Sequence, residues 1–212
     1  MPQPVFLDVD NTLLDNDAAK AALASRIAVA VPNDVSRRFW ELYEVVRGER
    51  DYVDFPATLA RVAAEHRADA ARIERILDEL PYRDFVYPGV FETIERLWRV
   101  ATPVILSDGD PVFQPLKIER AGLAAAVHGN VLIYVHKDER IAEATRRFAG
   151  PRPVFVDDKA RILGHVERQL PDAVTVHVRQ GRYGNEPVDP GDPPPDLEIE
   201  VIADLPAAIS AV

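Results

Sequence analysis

Two aspartates one residue apart, Asp8 and Asp10, follow directly on the apolar run of residues 5–7. In an extended segment, alternation sets both carboxylates on the same side. Like charges so placed repel, so the pair calls for a cation, a proton, or a reaction that uses a difference between them. Other polar residues stand in the same relation to later apolar runs. Ser107, Asp108 and Asp110 follow residues 104–106, His136 and Lys137 follow 131–135, and Asp157 and Asp158 follow 154–156.

The elements that must position these residues can be read from the same runs. The runs are short and rich in β-branched residues, and most do not alternate, which suits strands covered on both faces of a parallel sheet. A fifth run spans residues 174–178, and one more strand is expected around 197–202 after the Pro-rich stretch VDPGDPPPD. Helical spacing lies between most of them: Phe91, Ile94, Leu97 and Trp98; Ile141, Ala144, Thr145 and Phe148; Ile162, Leu163, Val166 and Leu170. Alternating strand and helix predicts an α/β doubly wound, Rossmann-like parallel sheet. The carboxyl ends of such strands line one crevice, so Asp8, Asp10, Ser107, Lys137, Asp157 and Asp158 are expected at one rim.

Residues 16–85 break this rhythm. They hold no convincing strand and four helix candidates, opened by Asn16, by Asn33 and Asp34, near Asp54, and by Asp69. A helical bundle cap is expected there, with residues 1–15 and 86–212 forming the core domain and Pro88-Gly89 marking the return.

Several carboxylates gathered together need a cation, and an all-oxygen set suits Mg²⁺. A hydroxyl, backbone N–H groups and a lysine form a cradle for a phosphoryl group. With no cysteine and no serine–histidine pairing in view, a carboxylate is the natural nucleophile. The absence of cysteine also removes disulfides and thiolate metal sites. The five histidines have no metal-like spacing. A net charge of −10 argues against nucleic acid or an anionic membrane as partner. With neither a signal segment nor a membrane span in view, a cytoplasmic protein of undetermined oligomeric state is expected.

The chain resembles the haloacid dehalogenase superfamily of hydrolases. VFLDVDNTLL, VILSDGD, VHKDE and VFVDD are similar to its four signatures, in order, and the helical segment resembles the α-helical cap of its capped branch. The resemblance implies that Asp8 is a nucleophile forming an aspartyl-phosphate and Asp10 a general acid and then base. It implies that Ser107 and the backbone N–H of Asp108 hold phosphoryl oxygens. Lys137 offsets charge, with Lys159 and Lys117 as the rival cations. Mg²⁺ is implied on the Asp8 carboxylate, the Asp10 carbonyl and Asp158, with Asp157 close by. Because the dehalogenase branch lacks an acid at the position of Asp10, the expected activity is an Mg²⁺-dependent phosphatase acting on a small phosphorylated metabolite. A phosphomutase, a 2-haloacid dehalogenase and a phospho-ligand-binding regulatory protein are the alternatives. Ile162 stands where many relatives carry a further acid or amide.

Overall fold

A computed structural model gives the fold over residues 2–210. Among these residues six parallel strands form one sheet: β1 (Gln3–Leu7), β2 (Ala101–Asp108), β3 (Val131–Tyr134), β4 (Val154–Asp157), β5 (Val174–Val178) and β6 (Leu197–Ile199). Their order across the sheet is β3-β2-β1-β4-β5-β6. The chain winds outward from β1 to β3, then crosses back to the other side of β1 for β4 to β6. The reversal falls between β1 and β4, where an open α/β sheet has its binding crevice.

The helices are α1 (Asn16–Ala30), α2 (Asn33–Arg50), α3 (Phe55–Asp78), α4 (Val90–Leu97), α5 (Phe113–Arg120), α6 (Leu123–Ala126), α7 (Ile141–Arg147), α8 (Ala160–Gln169), α9 (Gly181–Gly184) and α10 (Leu205–Ile209). The apolar strands bury both faces. Phe6, Val104, Leu106, Leu132 and Phe155 point to one side and pack with Ile141, Leu163 and Val166 of α7 and α8. Leu7, Ile105, Val156 and Val176 point to the other and join Val90, Ile94, Leu97 and Ile118 of α4 and α5. Phe6 stacks on Phe155, with ring centroids 4.8 Å apart.

Between β1 and β2 the long helices α1, α2 and α3 replace the four expected. Asp15, not Asn16, caps α1, accepting from the Ala18 N–H at 2.8 Å. Asp54 caps α3 as its sequence position suggests, accepting from Ala57 N–H at 2.7 Å. The fourth candidate, at Asp69, is the second half of α3, beyond a kink at His66 (φ −141°, ψ 66°). Gly89, at φ +81°, supplies the left-handed turn into α4. The Pro-rich stretch 188–196 contains neither helix nor strand. No described helix is long and apolar enough to cross a membrane.

Candidate active site

Asp8 sits one residue beyond β1, and its backbone N–H donates to Val156 O at 3.0 Å, which locks its level against β4. Its side chain is buried at 3% exposure. One oxygen, Oδ1, accepts from the Lys137 ammonium, while Oδ2 has no partner. Lys137 opens the turn of 3-10 helix Lys137–Arg140 after β3 and is itself buried. Its Nζ also lies 2.7 Å from Asp157 Oδ2, and its backbone N–H donates to Asp108 Oδ1 at 2.8 Å. Burial opposes the Lys137 charge, but Asp157, Asp8 and Asp108 outweigh that and hold its pKa well above the usual lysine value. Lys137 therefore occupies the place expected of the cation beside Asp8, ahead of Lys117 and Lys159.

Asp157 ends β4, and Asp158 follows it. Oδ1 of Asp157 accepts from the Lys159 N–H at 2.9 Å, so this residue braces the turn into α8 while pairing with Lys137. Asp158 is fully buried, and neither of its carboxyl oxygens has a partner. Burial, then the charges of Asp157 and Asp8, push its pKa up to about 9. Beneath it, buried His177 on β5 lies 3.0 Å from the Asp158 carbonyl.

Asp8, Asp157 and Asp158 each offer one carboxylate oxygen within 4.8 Å of one another. Three buried acids with orphaned oxygens on two of them are a donor set that fits a small hard cation. The Asp10 carboxylate is not among them. It turns to α5, where Lys117 Nζ lies 2.5 Å from Oδ1, with Gln114 Nε2 at 3.4 Å from Oδ2. Gln114 also donates to Ser107 Oγ at 2.9 Å. Ser107 is buried at the end of β2. Asp110 accepts from the N–H groups of Val112 and Phe113 and so fixes the turn that leads into α5, whose N-cap is Val112. Sequence reasoning missed Gln114. Its one signal is the spacing of three to Lys117, which puts both on the same face of α5.

Above these residues a cleft of about 850 Å³ opens between the strand ends and the helices α1 to α3. Asp10, Asp108, Lys117 and Lys159 line it, while Asp8, Lys137 and Asp157 line a separate small pocket.

The unpaired acid predicts a stability gain on its removal. With the folded pKa near 9 against an ordinary 3.8, folded protein keeps a proton that unfolded chain gives up. Stability then falls as pH rises from about 4 to about 9. Asp158→Asn should melt higher than the parent at pH 8 in metal-free buffer, with the gap closing toward pH 4. Equal melting curves at pH 8 would contradict this.

A family model described as haloacid dehalogenase-like hydrolase matches residues 4–178. The crystal structure of a protein assigned to the haloacid dehalogenase-like hydrolases from Burkholderia xenovorans LB400 is similar over the whole chain. It shares 37% identity at a TM-score of 0.89, covering 100% of this chain and 98% of that one. An L-2-haloacid dehalogenase from Xanthobacter autotrophicus, solved with chloropropionic acid covalently bound, shares the fold at 16% identity and TM-score 0.65, covering 100% of both chains. A 2-haloacid dehalogenase from Pseudomonas syringae pv. tomato DC3000 does so at 20% identity and TM-score 0.65, over 100% of this chain and 99% of that one. No curated protein sequence matches.

These comparisons correct the expected activity. The two similar structures described above with a named activity are both haloacid dehalogenases. The acid at Asp10, which carried the phosphatase expectation, has its carboxylate taken up by Lys117. A buried carboxylate at the end of β1, a lysine holding it, and a family model and a full-length relative in agreement lead to one assignment: the chain belongs to the haloacid dehalogenase-like hydrolase family.

Proposed function

We propose that this hydrolase removes halide from a 2-halo acid through an ester formed on Asp8. The observation that carries the reading is the contrast between the two opening aspartates. Asp8 keeps one oxygen on Lys137 and the other without a partner, whereas Asp10 has one oxygen held by Lys117 and the other near Gln114. A halide departs as an anion and asks for no proton, so an ion-paired carboxylate at Asp10 suits it.

In the first step the free oxygen of Asp8 attacks the carbon bearing the halogen. The carbon–oxygen bond forms as the carbon–halogen bond breaks, and the halide takes the electron pair. Lys137 holds Asp8 in position, and Asp108 braces the lysine's turn. In the second step water adds to the carbonyl carbon of the new ester. Asp158, which burial and the charges of Asp157 and Asp8 keep protonated, gives its proton to the departing alkoxide and takes one back from that water. The second proton of water leaves to solvent, and the products are the 2-hydroxy acid, halide and restored Asp8. Asp8, Asp157 and Asp158 are the residues that would hold a divalent cation such as Mg²⁺, which would offset the crowding of negative charge there.

Halide release from 2-chloropropionate by purified protein tests the reading. Because a working proton donor is worth about 10²–10⁴-fold, Asp10→Asn should cost less than about tenfold in halide release. A loss of about 10³-fold in a variant with an unchanged melting curve would contradict it.

A further inference from the structure

The cleft of about 850 Å³ lies toward the upper end of the roughly 300–1,000 Å³ range of cavities that enclose drug-sized ligands. A three-carbon acid would leave most of it to water. Its sides differ in chemistry. Tyr43, Phe55, Tyr82 and Phe113 make an aromatic wall. The Phe55 and Phe113 centroids lie 4.6 Å apart, and those of Tyr82 and Phe113 lie 6.1 Å apart. The floor holds Lys159, the residue after the two acids of β4.

The other cations around the cleft have carboxylate partners. Lys117 holds Asp10, Lys137 holds Asp8 and Asp157, Arg47 lies 3.3 Å from Glu44, and Arg161 lies 3.2 Å from Asp138. Among the described residues the Lys159 ammonium makes no ion pair or hydrogen bond, and it rests 5.5 Å from the Tyr183 ring centroid. A charged lysine beside the nucleophile, facing an open cleft, is positioned for a ligand's anion.

We propose that the substrate is a halo acid with an aryl or bulky apolar side chain, its carboxylate taken by Lys159 and its side chain laid against Phe55 and Phe113. This rests on the halo-acid reading above and deepens it. An arrangement of this kind fixes the substrate at both ends and leaves the halogen-bearing carbon over Asp8.

Two measurements separate the inference from the reading beneath it. In calorimetry, the halogen-free 3-phenylpropionate should bind the parent protein at least about tenfold more tightly than propionate, because its ring is taken out of water. Lys159→Met should lower that affinity by about tenfold or more and Phe113→Leu by a smaller factor, while the amide of phenylpropionate should be indifferent to Lys159→Met. In kinetics, 2-chloro-3-phenylpropionate should exceed 2-chloropropionate in kcat/KM, and Lys159→Met should raise KM for the acid more than it lowers kcat. Equal binding of both acids, or an acid-over-amide preference unchanged in Lys159→Met, overturns the inference even where halide is released. Tight, Lys159-dependent binding of phenylpropionate with no halide from either chloro acid supports the anion and aryl sites and overturns the halo-acid reading alone.

Discussion

Asp8→Asn should abolish halide release, with a fall of at least about 10³-fold, because an amide oxygen is a poor nucleophile and the covalent route has no substitute. The variant should fold. Its side chain is isosteric, it keeps an acceptor for Lys137, and it removes one of three crowded acids. Lys137 then retains Asp157 at 2.7 Å as a full ionic partner. Halide release by chloride electrode and thermal melting on the same sample check both halves. Wild-type turnover in a correctly folded Asp8→Asn protein would remove Asp8 from the chemistry.

Lys137→Met should be the most damaging single change to stability, at about 3–5 kcal/mol, because it leaves two buried carboxylates uncompensated. The lysine is 2% exposed and serves both Asp8 and Asp157, so no water layer softens its loss. Denaturant unfolding measures the effect. Adding Asp157→Asn to Lys137→Met should recover much of the stability by removing one of the stranded charges, yet leave halide release near zero because Asp8 is still unheld. A double variant no more stable than the single one would show that the lysine supports the fold in some other way. The same logic explains why Asp158 is kept despite its cost: the site holds an acid that folding alone would discard.

The sheet was legible because its physics is local. Residues buried on both faces tend to be apolar along their whole length, and the runs around Val5, Val104 and Val154 are so, whereas β5 also buries Thr175 and His177 and β3 is only half-buried. Their shared direction then brought Asp8, Ser107, Lys137 and Asp157 to one rim with no knowledge of contacts. Capping was legible at Asp54, where the side chain bonds its own helix. At Asp69 the same signal misled. A good cap residue does not start a helix when the preceding turn already continues into it, and α3 only bends at His66. The long-range ion pairs lay out of reach. Nothing near Asp10 announces Lys117, which is 107 positions away and meets it only because α5 packs beside the end of β1. Asp10 read as an acid able to protonate a leaving alcohol, and the phosphatase expectation followed from it; the named activity of the similar structures overturns that expectation.

The central claim is that Asp8 becomes an ester whose carbonyl is then attacked by water. Protein in excess over 2-chloro-3-phenylpropionate, allowed one turnover in heavy-oxygen water and analysed by peptide mass spectrometry, tests it most directly. The account predicts a heavy oxygen in the peptide carrying Asp8 and none in the hydroxyl of the first product. Label in that hydroxyl, with an unlabelled Asp8 peptide, would mean that water displaces the halide itself, and would contradict it.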